Sequence, residues 1–288
     1  MKLGFNLLMW TTHVTQAHRP LLRDLKAAGY DGVEVPVFEG DPAHYATLRR
    51  MLADEGLACT TVGIVQDEAR NPLSADDARS RAGVDYLRWL VDCSVALGAE
   101  VLCGPFYQPL GVFSGTGATP AEWDRMVATQ TAMADHAGSA IRLAVEPLNR
   151  FECYALNTCA DAARLVAAVG RANYGYLHDT FHANIEERDP VGALAATLPH
   201  VAHVHLSEND RGTLGRGHAP LAATCAALRA GGYDGWLTCE TFGLALPSIA
   251  AATKVWRPLY ASEREAYTEA LAAMRAARDG TKETIHAH

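Results

Sequence analysis

Eight short β-rich runs alternate with eight amphipathic helical patterns along this chain, and few folds accept such an alternation. The runs cover 3–8, 32–37, 57–64, 100–103, 142–146, 174–179, 202–206 and 236–240. The helical patterns cover 20–28, 42–55, 75–97, 120–137, 159–169, 190–198, 221–230 and 263–277. Short loops separate most of them, so consecutive strands should pair in parallel through helical crossovers. Pro20, Pro42, Pro120 and Pro190 stand where first helical turns begin. Gly29, Gly56, Gly98, Gly138, Gly170 and Gly231 follow the helical patterns, where left-handed stops are expected. The pattern predicts one (β/α)8 TIM barrel over residues 1–280, with a polar C-terminal tail at 281–288. The length of 288 residues suits this, since barrels of about 250 residues are commonly single domains. A doubly wound open sheet is the competing fold, but no glycine-rich phosphate turn follows the first run. The segments 25–35 and 228–240 echo one another, each with a helix, a glycine stop, a YDG turn and an acidic strand end.

Four of the runs carry a carboxylate or an imidazole at their C-terminal end. Glu146, Asp179, His205 and Glu240 close or directly follow runs five to eight. In a barrel the C-terminal strand ends face one cup, so residues far apart in sequence become one site. Three carboxylates and an imidazole are a plausible ligand set for a divalent cation. Glu146 and Glu240 would lie at the two ends of the arc, on either side of anything bound between them. A ketose held there could lose a carbon-bound proton to one glutamate and regain one from the other on the opposite face, which is epimerisation. Each residue alone reads more simply, as an ion-paired carboxylate, a helix cap or a core histidine. His203 competes with His205 because residues two apart share a strand face, and His205 is preferred as nearer the loop. Glu152, His182 and Arg211 follow three of these positions and would supply donors and acceptors for sugar hydroxyls. Phe5, Trp10, Phe106, Phe113 and Phe242 are candidate apolar walls of the cup.

Composition narrows the partners. A formal net charge of -8 with no block of Lys or Arg argues against nucleic acid. Seven scattered cysteines without a CxxC pair read as reduced, buried thiols rather than a zinc site. No stretch approaches the roughly 18 apolar residues that span a bilayer, and the apolar run after Met1 is too short for a signal peptide, so a cytoplasmic location is expected.

The strings VEPLNRFE (145–152), HDTFHANIEE (178–187), HVHLSENDRGTLGRGH (203–218) and CETF (239–242) resemble the ketose 3-epimerases. This group of D-tagatose, D-psicose (allulose) and L-ribulose 3-epimerases lies within the xylose isomerase-like barrels. The resemblance runs from the first strand to the last helix and is most specific in the second half. It implies Mn2+, with Co2+ or Mg2+ as substitutes, held by Glu146, Asp179, His205 and Glu240. It implies Glu146 and Glu240 as the proton-transfer pair and Glu152, His182 and Arg211 as contacts to a small-molecule ketose. It further implies a homodimer or homotetramer. The competing activity is a related barrel isomerase or dehydratase, of the hydroxypyruvate isomerase or keto-inositol dehydratase type. A DNA-repair barrel with several zinc ions would need more histidines and a basic groove.

Overall fold

The computed structural model describes residues 1–281; the expected tail falls almost wholly outside them. Eight parallel strands close into a barrel in chain order, β1 pairing with β8. They are β1 Lys2–Asn6, β2 Gly32–Pro36, β3 Ala58–Val62, β4 Val101–Gly104, β5 Arg142–Val145, β6 Tyr174–Asp179, β7 Val201–Leu206 and β8 Trp236–Cys239. Among the described residues the helices are α1 Arg19–Ala28, α2 Pro42–Asp54, α3 Asp77–Leu97, α4 Pro120–Ala137, α5 Cys159–Val169, α6 Thr180–Glu186, α7 Pro190–Thr197, α8 Leu221–Ala230, α9 Pro247–Thr253 and α10 Glu263–Asp279. The expected (β/α)8 architecture is therefore present. No described helix is long and apolar enough to cross a membrane.

Local chemistry places the helix ends. Pro42, Pro120, Pro190 and Pro247 open α2, α4, α7 and α9, and Thr119 and Glu122 form a reciprocal capping box at α4. The expected left-handed stop at Gly231 is instead taken by its neighbour, with φ -90° at Gly231 and 75° at Gly232.

Two helices, α6 and α9, were not legible as patterns. Each is only seven residues long, two turns, too short to show a periodicity. The first strand also stops sooner than its apolar run, because Asn6 caps a 3-10 turn over Leu7–Met9 by accepting from the Leu8 amide.

Strand alternation divides the core into two parts. Val33 and Val35 on β2, with Val204 and Leu206 on β7, join the large apolar cluster under the helices. Their neighbours Glu34, His203 and His205 face the barrel interior and meet one another across it. All seven cysteines are buried and free.

Candidate active site

The barrel register sets the site. Asp179, the last residue of β6, pairs with His205 on β7, and His205 pairs with Thr238 on β8. Glu146 and Glu240 are the first residues beyond β5 and β8. Their backbone amides stay in the ladder, donating to the carbonyls of Gly104 and Leu206. Asp179 does two things: Oδ1 accepts from the Phe181 amide and caps α6, which leaves Oδ2 for the cup.

All four are buried, and they form two overlapping groups that share Asp179. In the first, Nδ1 of His205 lies 3.9 Å from Asp179 Oδ2 and 3.6 Å from Glu240 Oε1. In the second, Nε2 of His182 lies 3.7 Å from Glu146 Oε1 and 3.8 Å from Asp179 Oδ2. His203 sits deeper, 2.8 Å from Glu34 Oε2 through Nε2.

Burial raises the pKa of Glu146 well above the usual carboxylate value, and the charges of Glu240 and Asp179 raise it further. Burial pushes Glu240 up to about 7, although Arg211 and His205 pull the other way. Asp179 goes down: burial opposes its ionisation, but Arg211, His182 and His205 outweigh it. For His205, burial favours the neutral ring, yet Glu34 and Glu240 hold its pKa up at about 10.

Arg211 reaches into this group from the loop after β7. Nη1 donates to Asp179 Oδ2 at 3.0 Å, to Ser207 Oγ at 2.9 Å and to Glu240 Oε2. Its guanidinium lies 3.8 Å from the Phe181 ring centroid and 5.2 Å from that of Phe242. The loop itself is braced by the buried carboxylate of Glu208, which accepts from the amides of Gly215 and Ala219.

His182 meets a donor at each ring nitrogen. Burial lowers its pKa to about 4, so the ring is neutral and carries one proton. The Asn149 amide points at Nδ1 at 3.1 Å. Nη2 of Arg211, another donor, lies 3.0 Å from Nε2. Arg is always a donor, so the neutral ring can accept from only one of these two partners at a time.

The site opens into a cavity of about 530 Å³ lined by Glu146, Glu152, His182, Arg211 and Glu240. Glu152, which stands on the rim, accepts from Asn149 Nδ2 at 2.8 Å. The aromatic walls differ from those expected. Of the five candidates only Phe242 lines the cavity, joined by Phe38, Phe151 and Phe181. Phe5 and Phe106 belong to the core under the helices, since Phe5 precedes the inward-facing Asn6. Trp10 donates to Glu263 and packs on Phe5, and Phe113 is half exposed.

The donor set fits a divalent cation. With Glu146, Asp179 and Glu240 ionised and His205 neutral, as a bound cation would require, one guanidinium offsets one of three negative charges. Nδ1 of His205 is buried without a hydrogen-bond partner and faces two of those carboxylates. Bonds of about 2.1 Å to a small dication put neighbouring ligand atoms roughly 3–4 Å apart, the spacing found here.

Two groups escaped the sequence reading. Glu34, in the middle of β2, and Asn6, at the end of β1, are buried beside the site and hydrogen-bonded to each other. The signal available was a lone charge inside GVEVP, which also forms the acidic strand end of the 25–35 echo.

A closed (β/α)8 barrel with an acid–imidazole cluster at the C-terminal ends of its strands defines a TIM-barrel protein of enzyme type. Residues 22–277 match the model of the xylose isomerase-like TIM barrel family, and the chain belongs to that family. Within it, the chain is 32% identical to a ketose 3-epimerase of Arthrobacter globiformis over 280 residues, 96% of each chain. It is 31% identical to a D-psicose 3-epimerase of Agrobacterium fabrum, over 90% of this chain and 91% of that one. Among solved structures, a D-allulose 3-epimerase of Methylomonas sp. in complex with D-allulose superposes with a TM-score of 0.88. That match has 28% identity and covers 96% of both chains.

Proposed function

We propose that this protein is a divalent-metal-dependent ketose 3-epimerase acting on free ketohexoses or ketopentoses. Its substrate pairs would be of the D-fructose/D-psicose, D-tagatose/D-sorbose and L-ribulose/L-xylulose type. The observation that carries the proposal is the placement of Glu146 and Glu240 directly after β5 and β8, flanking Asp179 and His205 and lining one cavity. Similarity to ketose 3-epimerases along nearly the whole chain supports the same reading.

The residues divide the work as follows. Asp179, His205, Glu146 and Glu240 would hold Mn2+, with Co2+ or Mg2+ as alternatives. The bound cation would supply Lewis acidity, polarising the C2 carbonyl and offsetting the charge of an enediolate. His182 and the Arg211 fork would contact substrate oxygens, and Glu152 would accept from a hydroxyl. One glutamate, ionised, takes the proton from C3, and the pair of electrons left behind forms the C2–C3 double bond of the enediolate. The other glutamate, protonated, delivers its proton to the opposite face of C3, and the C2 carbonyl reforms. One proton leaves and one arrives, so the net change is inversion at C3.

Both carboxyl groups are buried, which keeps bulk water from competing for the proton they exchange. The reverse reaction uses the same pair with the roles exchanged.

The test is incubation of Mn2+-loaded protein with D-fructose, D-tagatose and L-ribulose in heavy water. Formation of the 3-epimer with deuterium at C3 is expected. Failure to form any 3-epimer or to label C3 across that panel would sink the proposal, and a product lacking a hydroxyl would indicate a dehydratase.

A further inference from the structure

Five side chains converge on the carboxylate of Glu34 in the barrel interior. Oε1 lies 2.7 Å from Nε2 of His205 and accepts from Nδ2 of Asn6 at 3.0 Å. Oε2 lies 2.8 Å from Nε2 of His203 and accepts from Thr60 Oγ1 at 2.9 Å and the Cys103 thiol at 3.1 Å. Glu34 and both histidines have no exposed surface. A buried charge is tolerated only when so surrounded, and four hydrogen bonds with one close ion pair to His205 use every acceptor site that a carboxylate offers.

The arrangement is directional. A carboxylate accepts and does not donate, so the nitrogen of His205 facing it must carry a proton. Once a cation has displaced its second proton the imidazole keeps one, which makes Nδ1 the nitrogen with the lone pair to offer. That is the atom left without a partner, facing Asp179 and Glu240. Asn6 extends the same support to a second residue. Its Nδ2 also donates to Glu240 Oε1 at 3.0 Å, while its own Oδ1 is fixed by the Leu8 amide.

The geometry points to Glu34 as a positioning residue that holds His205 by Nε2 and so presents Nδ1 to the cation, with Asn6 tying Glu240 to the same anchor. This rests on the reading that Asp179, His205 and Glu240 hold a divalent metal. Carboxylates that orient a metal-bound histidine set its tautomer and ring angle, and their loss costs about 10- to 100-fold in metal affinity.

The experiment is calorimetric titration of Mn2+ into the metal-freed parent and Glu34→Gln proteins. The variant should bind Mn2+ about 10- to 100-fold more weakly. With Mn2+ in excess of the weakened Kd, its KM for the ketose should match the parent, a separation that general loosening of the fold does not produce. Equal Mn2+ affinity in parent and variant overturns the positioning role and leaves the metal reading standing. A parent that binds no Mn2+ overturns the metal reading itself.

Should Glu34→Gln fail to fold, nitrogen-15 spectra of the Mg2+-loaded parent decide. A His205 ring protonated at Nε2 and bare at Nδ1 supports the inference; the opposite tautomer refutes it.

Discussion

Arg211 Nη1 lies 3.0 Å from Asp179 Oδ2, and the backbone that carries it there has a left-handed φ of 64°. A non-glycine residue in that region is uncommon, and the conformation is held from both sides. The Arg211 amide donates to the Glu208 carbonyl, and its own carbonyl accepts from the Phe242 amide. The strained turn aims the fork into the cup, between two aromatic rings. Arg211→Lys keeps the charge but loses the paired donors. It should raise KM for the ketose about 10- to 100-fold, the equivalent of one buried charged hydrogen bond, with a smaller fall in kcat. Steady-state kinetics at saturating Mn2+ checks this.

Glu146 and Glu240 carry different predictions. Glu146→Gln and Glu240→Gln should each lower kcat by about 10²- to 10⁴-fold, the range for loss of a general acid or base. Deuterium incorporation at C3 should fall in parallel. Glu152→Gln should mainly raise KM, because Glu152 stands on the rim. A variant of Glu146 or Glu240 that still exchanges C3 at the parental rate would remove that residue from the proton path.

The raised carboxyl pKa values give the metal-free protein a definite pH dependence. Glu240 titrates at about 7 when folded against an ordinary value of 4.5, and Glu146 shifts the same way. The folded chain therefore binds these protons more tightly than the unfolded one. The stability they contribute is complete below the ordinary value and is lost as pH rises through about 7. His205 acts in the same direction, with its folded value at about 10. His178 and His182, lowered to about 4 by burial, act the opposite way below the ordinary histidine value of 6.5. Metal-free protein should thus melt at lower temperature as pH rises from about 6.5 to 8. Mn2+ should cancel that fall, because it replaces the protons. Scanning calorimetry across the range, with and without Mn2+, reads the widening gap.

Gly104 ends β4 with φ 125°, and a Cβ there would stand 2.2 Å from the Gly63 carbonyl oxygen. Gly104→Ala should destabilise the protein by about 1–3 kcal/mol, the usual cost of such backbone strain. The Gly104 carbonyl also receives the Glu146 amide, so kcat should fall as well. Urea unfolding and kinetics on the same preparation would separate the two effects.

The parts of the molecule visible in the sequence are those governed by local rules. Strand and helix alternation, proline starts and the polar residues at strand ends all follow from short-range patterns, and the barrel gathers Glu146, Asp179, His205 and Glu240 at one mouth. Glu34 stayed hidden because its partner His203 lies 169 positions away, and only closure of the barrel brings β2 against β7. The aromatic walls were misread for a related reason. A phenylalanine one position from an inward-facing residue points to the helices, as Phe5 does beside Asn6. His182 was assigned from its place in the string, whereas its partners, the Asn149 amide and the Arg211 guanidinium, come from the loops after β5 and β7.

The anchor at Glu34 has a consequence for redesigning substrate preference. Exchanging the first four βα units with those of a relative would seem to leave the chemistry intact, since the strand-end acids all lie beyond residue 141. Yet Asn6, Glu34 and Thr60 would travel with the transplanted half while His203, His205 and Glu240 stayed behind. A chimera joined between α4 and β5 should work only when the donor supplies the same trio. Those three residues act as a compatibility key between the two halves of the barrel.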